Sequence, residues 1–180
     1  VSENKLDLIF KAYDIRGIFG DTLTPEIAYK IGYAYSEFVE SEKIIIGHDG
    51  RLSNKEMLNA VASGIKKNNK SILYIGTVPT DVVYSLSGLN QLPGVIITAS
   101  HNPKEWTGLK FCNKGATPVG IETGLLEIKD KVANLNIDID IDNNYEEDFS
   151  FVDIETASIY CGMDVYLTRK LAIIYIKRLK

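Results

Sequence analysis

The chemistry of this chain is most visible at SHNP (residues 100–103), where a serine stands beside a histidine after the apolar run GVIITA. A serine hydroxyl can act as a nucleophile or carry a phosphoryl group. His101 is badly placed as a hydrolase base for Ser100 because neighbouring side chains diverge in extended backbone, and the only other histidine is His48. The G-x-S-x-G elbow is also absent, which argues against a catalytic triad. The alternative is structural: a turn that ends a strand, with the serine bonded to local backbone.

Phosphoryl transfer would use a different set of groups. It needs a hydroxyl that carries phosphate, cations that stabilise the charge, and a group that exchanges a proton with the substrate hydroxyl. The residues that meet this description, if their loops converge, are Ser100, His101, Lys110, Arg16 and Arg51.

Each of the other cations also has an alternative. The planar fork of Arg16 is suited to bind phosphate. Arg51 has the same fork but could instead form an ion pair with Asp14 or Asp49. Lys110 could be a solvated surface lysine, which is the common state of lysines in proteins.

Three short apolar runs rich in β-branched residues predict strands buried on both faces: KIIIG (43–47), SILYIG (71–76) and GVIITA (94–99). Segments with helical periodicity lie between them. Strands that alternate with helices predict an α/β fold with a mainly parallel, mixed sheet that is covered by helices on both faces. Ligands are then expected at the carboxyl ends of the strands, where the loop GHDGR (47–51) and the SHNP turn fall.

The helix starts have recognisable signals. Thr24 precedes Pro25, which places a capping hydroxyl before a proline suited to the first turn. The sequence SNKE (53–56) fits a capping box. Further helices are predicted at residues 80–86, with Thr80 as the cap, and at residues 121–135.

Composition excludes several classes of protein. A formal net charge of −4 argues against a protein built to bind the nucleic-acid backbone. The two cysteines, Cys112 and Cys161, are far apart and predict neither a disulfide framework nor a zinc site. The N-terminal residues lack the pattern of a signal peptide, and no apolar run approaches the roughly 20 residues needed to cross a bilayer. The expected location is cytoplasmic. No G-x-G-x-x-G or P-loop motif follows a strand, which disfavours a nucleotide-binding domain.

The sequence predicts a domain over residues 1–135, an acidic linker over 136–153 and a helical tail over 154–180. The tail has an apolar stripe that needs a partner, so it could begin a second domain or mediate self-association. The linker contains DIDID (138–142), whose alternating carboxylates would share one face of a strand. We interpret them as a solvated edge rather than a cation site.

Several motifs together resemble the first domain of the α-D-phosphohexomutases, the family of phosphoglucomutase and phosphomannomutase. The motifs are YDIRG (13–17), GHDGRLS (47–53), TASHNP (98–103) and GLK (108–110), and their order and spacing match over roughly residues 8–135.

The resemblance implies a function and roles for these residues. Ser100 is the phosphorylated carrier and binds Mg²⁺ through its phosphate. His101, Lys110 and Arg16 are catalytic, with Lys110 and Arg16 in acid/base chemistry. Arg51 and Asn102 bind substrate or phosphate.

The implied substrates are glucose or mannose 1- and 6-phosphates, and a hexose 1,6-bisphosphate is the implied activator and intermediate. The remaining Mg²⁺ ligands and the remaining mutase domains are expected outside this chain, so the chain alone is expected to be inactive. The alternative function is a non-catalytic binding or assembly module that retains this fold.

Overall fold

The computed structural model describes residues 3–144 and 150–151; the predicted tail over 154–180, with Cys161, lies outside them. Twelve helices and strands occur along the described residues, together with short 3₁₀ turns. Their bounds are α1 Glu3–Ile9, β1 Ile15–Ile18, α2 Pro25–Phe38, β2 Lys43–His48, α3 Asn54–Lys67, β3 Ser71–Thr77, α4 Thr80–Asn90, β4 Gly94–Ile97, β5 Trp106–Asn113, β6 Thr117–Pro118, α5 Leu125–Asn134 and β7 Ser150–Phe151.

The strands form one mixed sheet in the order β1-β5-β4-β2-β3-β7, and β6 pairs with β5. Strand β2 is parallel to both β3 and β4, and β3 is parallel to β7. Strand β5 runs antiparallel to β1, β4 and β6. The α/β fold with a mixed sheet is therefore confirmed.

Both faces of the sheet are covered, as the continuous apolar runs predict. In β2, Ile44 and Ile46 belong to the larger core cluster, which also contains residues of α1, α2, α3 and α5. Ile45 points to the opposite face and belongs to a smaller cluster with Val82, Val83 and Leu86 of α4. Successive side chains of a strand point to opposite faces, so a strand between two helical layers must be apolar at every position.

Helices α2 and α3 pack closely because glycines lie at their contact. A Cβ atom on Gly64 would collide with the carbonyl oxygen of Tyr29, and one on Gly32 would collide with that of Val61. Helix α2 begins as the sequence predicts, with the Thr24 hydroxyl accepting from the Ile27 amide at 3.4 Å.

The capping box predicted for α3 is wrong. Ser53 has helical backbone angles (φ −71°, ψ −10°), and its hydroxyl makes no capping hydrogen bond. A cap needs extended backbone at this position, whereas here the preceding turn is closed by the Asn54 amide donating to the Arg51 carbonyl at 3.2 Å.

The later helices differ from prediction at their ends. Helix α4 starts at Thr80 with Pro79 as its cap residue, and it extends to Asn90. The helix predicted over 121–135 is split by Gly124, whose φ of 133° separates a 3₁₀ turn from α5.

The first part of the predicted linker lies along α2 and α3. Ile137 and Ile141 pack against the larger core cluster. The Asp142 amide donates to Ser63 Oγ at 3.0 Å, and Asn59 Nδ2 donates to the carbonyl of Asn143 at 3.0 Å. Strand β7 then pairs with β3. The boundary at residue 135 remains a prediction.

Two features are absent from residues 3–144 and 150–151. These residues contain no helix long and apolar enough to span a membrane. They also contain no group of three or more histidine, cysteine or acidic residues that could hold a metal ion, and this includes the part of the chain with DIDID (138–142).

Candidate active site

Ser100 occupies the turn after β4 in an unusual backbone conformation. Its φ is +54°, in the left-handed region, which costs a non-glycine residue about 1–3 kcal/mol and which surrounding contacts must hold. The residue is exposed. Its hydroxyl lies 3.5 Å from His101 Nδ1, the outer limit of a hydrogen bond, and bonds no backbone group among the described residues. The hydroxyl is therefore accessible to a ligand. The structural alternative predicted instead a hydroxyl that is bonded to the local backbone.

Arg16 and Lys110 meet at one carboxylate. Asp14 is 6% exposed, and its Oδ2 accepts from Arg16 Nε at 2.8 Å and lies 2.7 Å from Arg16 Nη2. Lys110 Nζ lies 3.5 Å from the same oxygen. We call Asp14, Arg16 and Lys110 the cation cluster. Its two cations and one carboxylate carry a net charge of about +1, which suits an anionic ligand.

The cation cluster depends on a close approach of β1, β5 and the end of β4. Arg16 lies opposite Gly108 in the antiparallel pair of β1 and β5. A Cβ atom on Gly108 would collide with the Ile15 carbonyl oxygen and lie 2.8 Å from that of Thr98. Only glycine allows these backbones to lie so close, so Gly108 sets the spacing between the cations and the serine turn.

The cation cluster is joined to the serine turn by Asn102. Arg16 Nη1 donates to Asn102 Oδ1 at 2.5 Å, two residues after Ser100. The structure thus brings Arg16, Lys110, Asn102 and Ser100 together, with His101 next to the serine. Their catalytic and binding roles remain predictions.

Arg51 has a different environment. Its Nε donates to Asp49 Oδ2 at 3.2 Å, which is the ion pair considered from the sequence. Its four remaining N–H groups lie on backbone carbonyls of the serine turn: those of Ser100 and Asn102 at 2.8 Å each, of Pro103 at 2.7 Å and of Trp106 at 3.0 Å.

A guanidinium has five N–H donors, and all five of Arg51 have acceptors here. In this arrangement the side chain has no donor left for a phosphate. Its assignment as a phosphate-binding residue stays a prediction.

Asp49 collects hydrogen bonds from several directions. Its Oδ1 accepts from Asn54 Nδ2 at 2.8 Å and from the Arg51 amide at 3.0 Å, and its Oδ2 accepts from the Thr98 hydroxyl at 2.7 Å. Burial raises the pKa of Asp49, but the hydrogen bonds from Asn54 and Thr98, with smaller contributions from Arg51, outweigh it and hold the pKa below its ordinary value of 3.8. Asp49 is therefore a stable carboxylate acceptor at neutral pH.

The sequence indicates no role at the site for Thr98 or Asn54, although both have buried side chains that bond Asp49. It offers Asp14 as a partner for Arg51, whereas in the structure Asp14 contacts Arg16 and Lys110. The position of Thr98 directly after β4, at the carboxyl end of a parallel strand, is the available signal for that residue.

The described residues do not form a magnesium site by themselves. Ca²⁺ and Mg²⁺ sites are built mainly from carboxylate, carbonyl and water oxygens. The two carboxylates at this site, Asp14 and Asp49, are already engaged with arginine, lysine and hydroxyl partners. A phosphate on Ser100 could offer oxygen ligands, and any others would have to come from elsewhere.

Comparisons with known proteins point to one family. Residues 7–136 match the family described as Phosphoglucomutase/phosphomannomutase, alpha/beta/alpha domain I. A phosphomannomutase from Methanocaldococcus jannaschii is 40% identical over 153 residues, which cover 79% of this chain and 33% of that protein. A phosphomannomutase from Klebsiella pneumoniae is 40% identical over 121 residues, which cover 67% of this chain and 77% of that protein.

A solved structure shows the same fold. The crystal structure of a phosphoglucomutase/phosphomannomutase family protein from Burkholderia thailandensis matches with a TM-score of 0.69 and 26% identity, covering 88% of this chain and 35% of that one. This chain spans about a third of the length of that protein and of the Methanocaldococcus relative.

Proposed function

Because this chain belongs to the phosphoglucomutase/phosphomannomutase family, we propose that it is the phosphoryl-carrying domain of a hexose-phosphate mutase, with Ser100 as the carrier. The observation that supports this most strongly is the juxtaposition at the serine turn. An exposed serine hydroxyl, held in a left-handed conformation, is tied through Asn102 to the cation cluster. These are the groups that phosphoryl transfer requires.

The proposed reaction has two transfers. In the first, a phosphate ester on Ser100 passes its phosphoryl group to a hydroxyl of a hexose phosphate. The bond between the serine oxygen and phosphorus breaks, and a bond between the sugar oxygen and phosphorus forms. The sugar hydroxyl gives up a proton and the serine oxygen accepts one. The bisphosphate then turns around and returns its other phosphoryl group to Ser100.

The cations would act on the charge of this reaction. Phosphorylation adds about −1.5 to −2 charges to Ser100, and a second phosphate beside it is repelled. Arg16 and Lys110 supply two positive charges, of which Asp14 compensates one. His101 Nδ1 lies 3.5 Å from the serine oxygen and would assist by donating a hydrogen bond or proton.

Turnover requires two transfers, with a rotation of the bisphosphate between them, whereas uptake of phosphate by Ser100 from a bisphosphate requires only one. We expect this chain alone to perform the single transfer and not the complete cycle, because the remaining Mg²⁺ ligands and the remaining mutase domains are expected outside it. Glucose and mannose phosphates are both proposed substrates.

Intact-mass measurement tests the proposal directly. The purified chain is incubated with glucose 1,6-bisphosphate and MgCl₂, and any added phosphate is located by peptide mapping. We expect one phosphate on Ser100 and none on the Ser100→Ala variant. If Ser100 takes up no phosphate, the carrier role fails and the alternative of a non-catalytic module is favoured.

A coupled assay tests the second expectation. We expect no isomerisation of glucose 1-phosphate or mannose 1-phosphate by the purified 180-residue chain. Turnover that persists in the wild-type chain and disappears in Ser100→Ala would contradict the expected inactivity while supporting the carrier role.

A further inference from the structure

Both peptide groups that flank Ser100 are held by side chains from outside its turn. The Ser100 amide donates to Thr98 Oγ1 at 2.9 Å. The Ser100 carbonyl accepts from Arg51 Nη2 at 2.8 Å. These two contacts lie on either side of the φ and ψ angles that place Ser100 in the left-handed region, so they restrain the rotations that would release it.

The two restraining side chains are connected by Asp49. The Thr98 hydroxyl accepts from the Ser100 amide and donates its own proton to Asp49 Oδ2 at 2.7 Å. The same carboxylate oxygen accepts from Arg51 Nε at 3.2 Å. The hydrogen bonds therefore close a ring from the Ser100 amide through Thr98, Asp49 and Arg51 to the Ser100 carbonyl. We call Asp49, Arg51 and Thr98 the loop brace.

Each member of the loop brace is itself held in place. The side chain of Arg51 is 13% exposed and that of Asp49 is 25% exposed. Thr98 is 5% exposed at the end of β4. A hydrogen-bonded ring with charged members and little exposure resists distortion because opening it would leave polar groups poorly satisfied.

We propose that Asp49, Arg51 and Thr98 are positioning residues that hold Ser100 in its left-handed conformation and thereby fix the hydroxyl for phosphoryl transfer. The second half of this statement rests on the proposed function, because it takes Ser100 as the phosphoryl carrier. The role differs from charge stabilisation, since the charge of Arg51 is balanced by Asp49 and its donors face backbone carbonyls.

The threonine offers a sharp test because its hydroxyl can be removed at nearly constant shape. Thr98→Val removes the hydroxyl, and Thr98→Ser keeps it. Thr107→Val is a matched control: Thr107 is fully buried in the neighbouring β5, and its hydroxyl has no hydrogen-bond partner among the described residues. All three variants are made in the 180-residue chain.

The first measurement is hydrogen exchange of the Ser100 amide by NMR. We expect exchange at least tenfold faster in Thr98→Val, because the amide loses its acceptor. Thr98→Ser should stay within threefold of wild type, and Thr107→Val should be unchanged. Unchanged exchange in Thr98→Val, or failure of Thr98→Ser to restore protection, would overturn the proposal.

Arg51→Lys tests the other side of the ring and serves if Thr98→Val does not fold. Lysine keeps the charge but lacks the planar fork that reaches Asp49 and several carbonyls together. We expect the backbone chemical shifts of Ser100 to leave the left-handed pattern. Retention of that pattern would contradict the role of Arg51.

The second measurement is the rate of Ser100 phosphorylation by glucose 1,6-bisphosphate with MgCl₂. We expect Thr98→Val to be at least tenfold slower than wild type, with Thr98→Ser within threefold and Thr107→Val unchanged. Equal rates in Thr98→Val and wild type would refute the effect on transfer. If wild type takes up no phosphate, the proposed function fails, whereas amide exchange still decides whether the loop brace holds Ser100.

Discussion

Two triplets of the form Asp-x-Arg lie beside the serine turn, and they differ in what the arginine contacts. In the first, Arg16 pairs with Asp14 and donates one further bond to a side chain, that of Asn102. In the second, Arg51 pairs with Asp49 and directs its other donors to backbone carbonyls of the turn. The sequence spacing is identical.

The difference between the two arginines follows from their elements. Arg16 lies within β1, beside the strand that carries Lys110, so a second cation shares its carboxylate. Arg51 lies in the loop after β2, and its guanidinium is surrounded by the carbonyls of the turn that follows β4. Arg16 therefore belongs to the cation cluster, which has surplus positive charge, and Arg51 belongs to the loop brace. The following predictions test this contrast.

The largest expected effect comes from Gly108, which separates the two regions. Gly108→Ala places a Cβ atom against the Ile15 carbonyl oxygen and close to that of Thr98. We expect the free energy of unfolding to fall by about 3 kcal/mol, at the upper end of overpacking effects. Chemical denaturation measures this change.

Gly88→Ala is the control for Gly108→Ala. Gly88 lies within α4, and the nearest atom to an added Cβ would be 3.7 Å away. Alanine should stabilise the helix by about 0.5–1 kcal/mol. A loss of equal size in both variants would show that the close approach at Gly108 is not the cause.

The next prediction compares Arg16→Gln with Arg51→Gln in the rate of Ser100 phosphorylation. Arg16→Gln should slow the reaction about 100-fold, the usual cost of losing one group that stabilises transition-state charge. Arg51→Gln should slow it about tenfold by loosening the turn.

Ionic strength separates the two mechanisms. The ratio of wild-type to Arg16→Gln rates should shrink as salt is added, because salt screens the attraction between the surplus charge of the cation cluster and the incoming bisphosphate. The ratio for Arg51→Gln should stay constant, because that charge is already balanced by a contact with Asp49. The same salt dependence in both variants would remove the distinction between the cation cluster and the loop brace.

Asp49→Asn tests the loop brace through the pH dependence of the free energy of unfolding. The pKa of Asp49 is lowered in the folded protein, so the carboxylate stabilises the fold above its ordinary pKa of 3.8, and this contribution is lost as pH falls below that value. We expect Asp49→Asn to lower the free energy of unfolding by about 1–2 kcal/mol at pH 6. The difference from wild type should shrink at pH 3.

Glu42→Gln is the control for the effect of removing a paired carboxylate. Glu42 pairs with Lys70 at 3.1 Å, but its side chain is 88% exposed. Its loss should cost less than about 0.5 kcal/mol. A deficit for Asp49→Asn that is the same at pH 6 and pH 3 would show that the charge of Asp49 is not what stabilises the loop brace.

The smallest expected effect is at Asn102, which contacts both arginines. Its side chain accepts from Arg16, whereas its backbone carbonyl accepts from Arg51. Asn102→Ala removes only the first contact. We expect Ser100 phosphorylation to slow about fivefold, which corresponds to about 1 kcal/mol, with Ser100 amide exchange unchanged.

Asn90→Ala is the matched control for Asn102→Ala, because its side chain bonds the Leu86 carbonyl within α4. It should leave the phosphorylation rate at the wild-type value. Faster amide exchange at Ser100 in Asn102→Ala would indicate that the two regions are not independent.

The sheet and its central helices could be predicted because local signals agree with the tertiary environment. The run KIIIG (43–47) is apolar at successive positions because Ile44, Ile45 and Ile46 face both helical layers in turn. Thr24 and Pro25 mark the start of α2 correctly because the cap and first turn involve only neighbouring residues. The predicted cap at Ser53 was wrong because the Asn54 amide closes a turn with the Arg51 carbonyl, which leaves Ser53 in helical backbone.

The sequence predicts which residues form the candidate site but not how they contact one another. The motifs indicate Ser100, Arg16 and Lys110, and the structure brings them to one end of the sheet. The pairing of Asp14 with Lys110 depends on the register of β1 against β5. That pairing joins residues more than ninety positions apart, and no local spacing encodes it.

The contacts of Arg51 with the serine turn fall on main-chain oxygens, which every amino acid carries. The exposed side chains of Lys104 and Glu105 take no part in these contacts. Substitutions at these two positions could therefore change the charge of the surface beside the serine turn. The backbone path of the turn would stay the same. Ligand preference could therefore change at these positions while the contacts of Arg51 with the turn are kept.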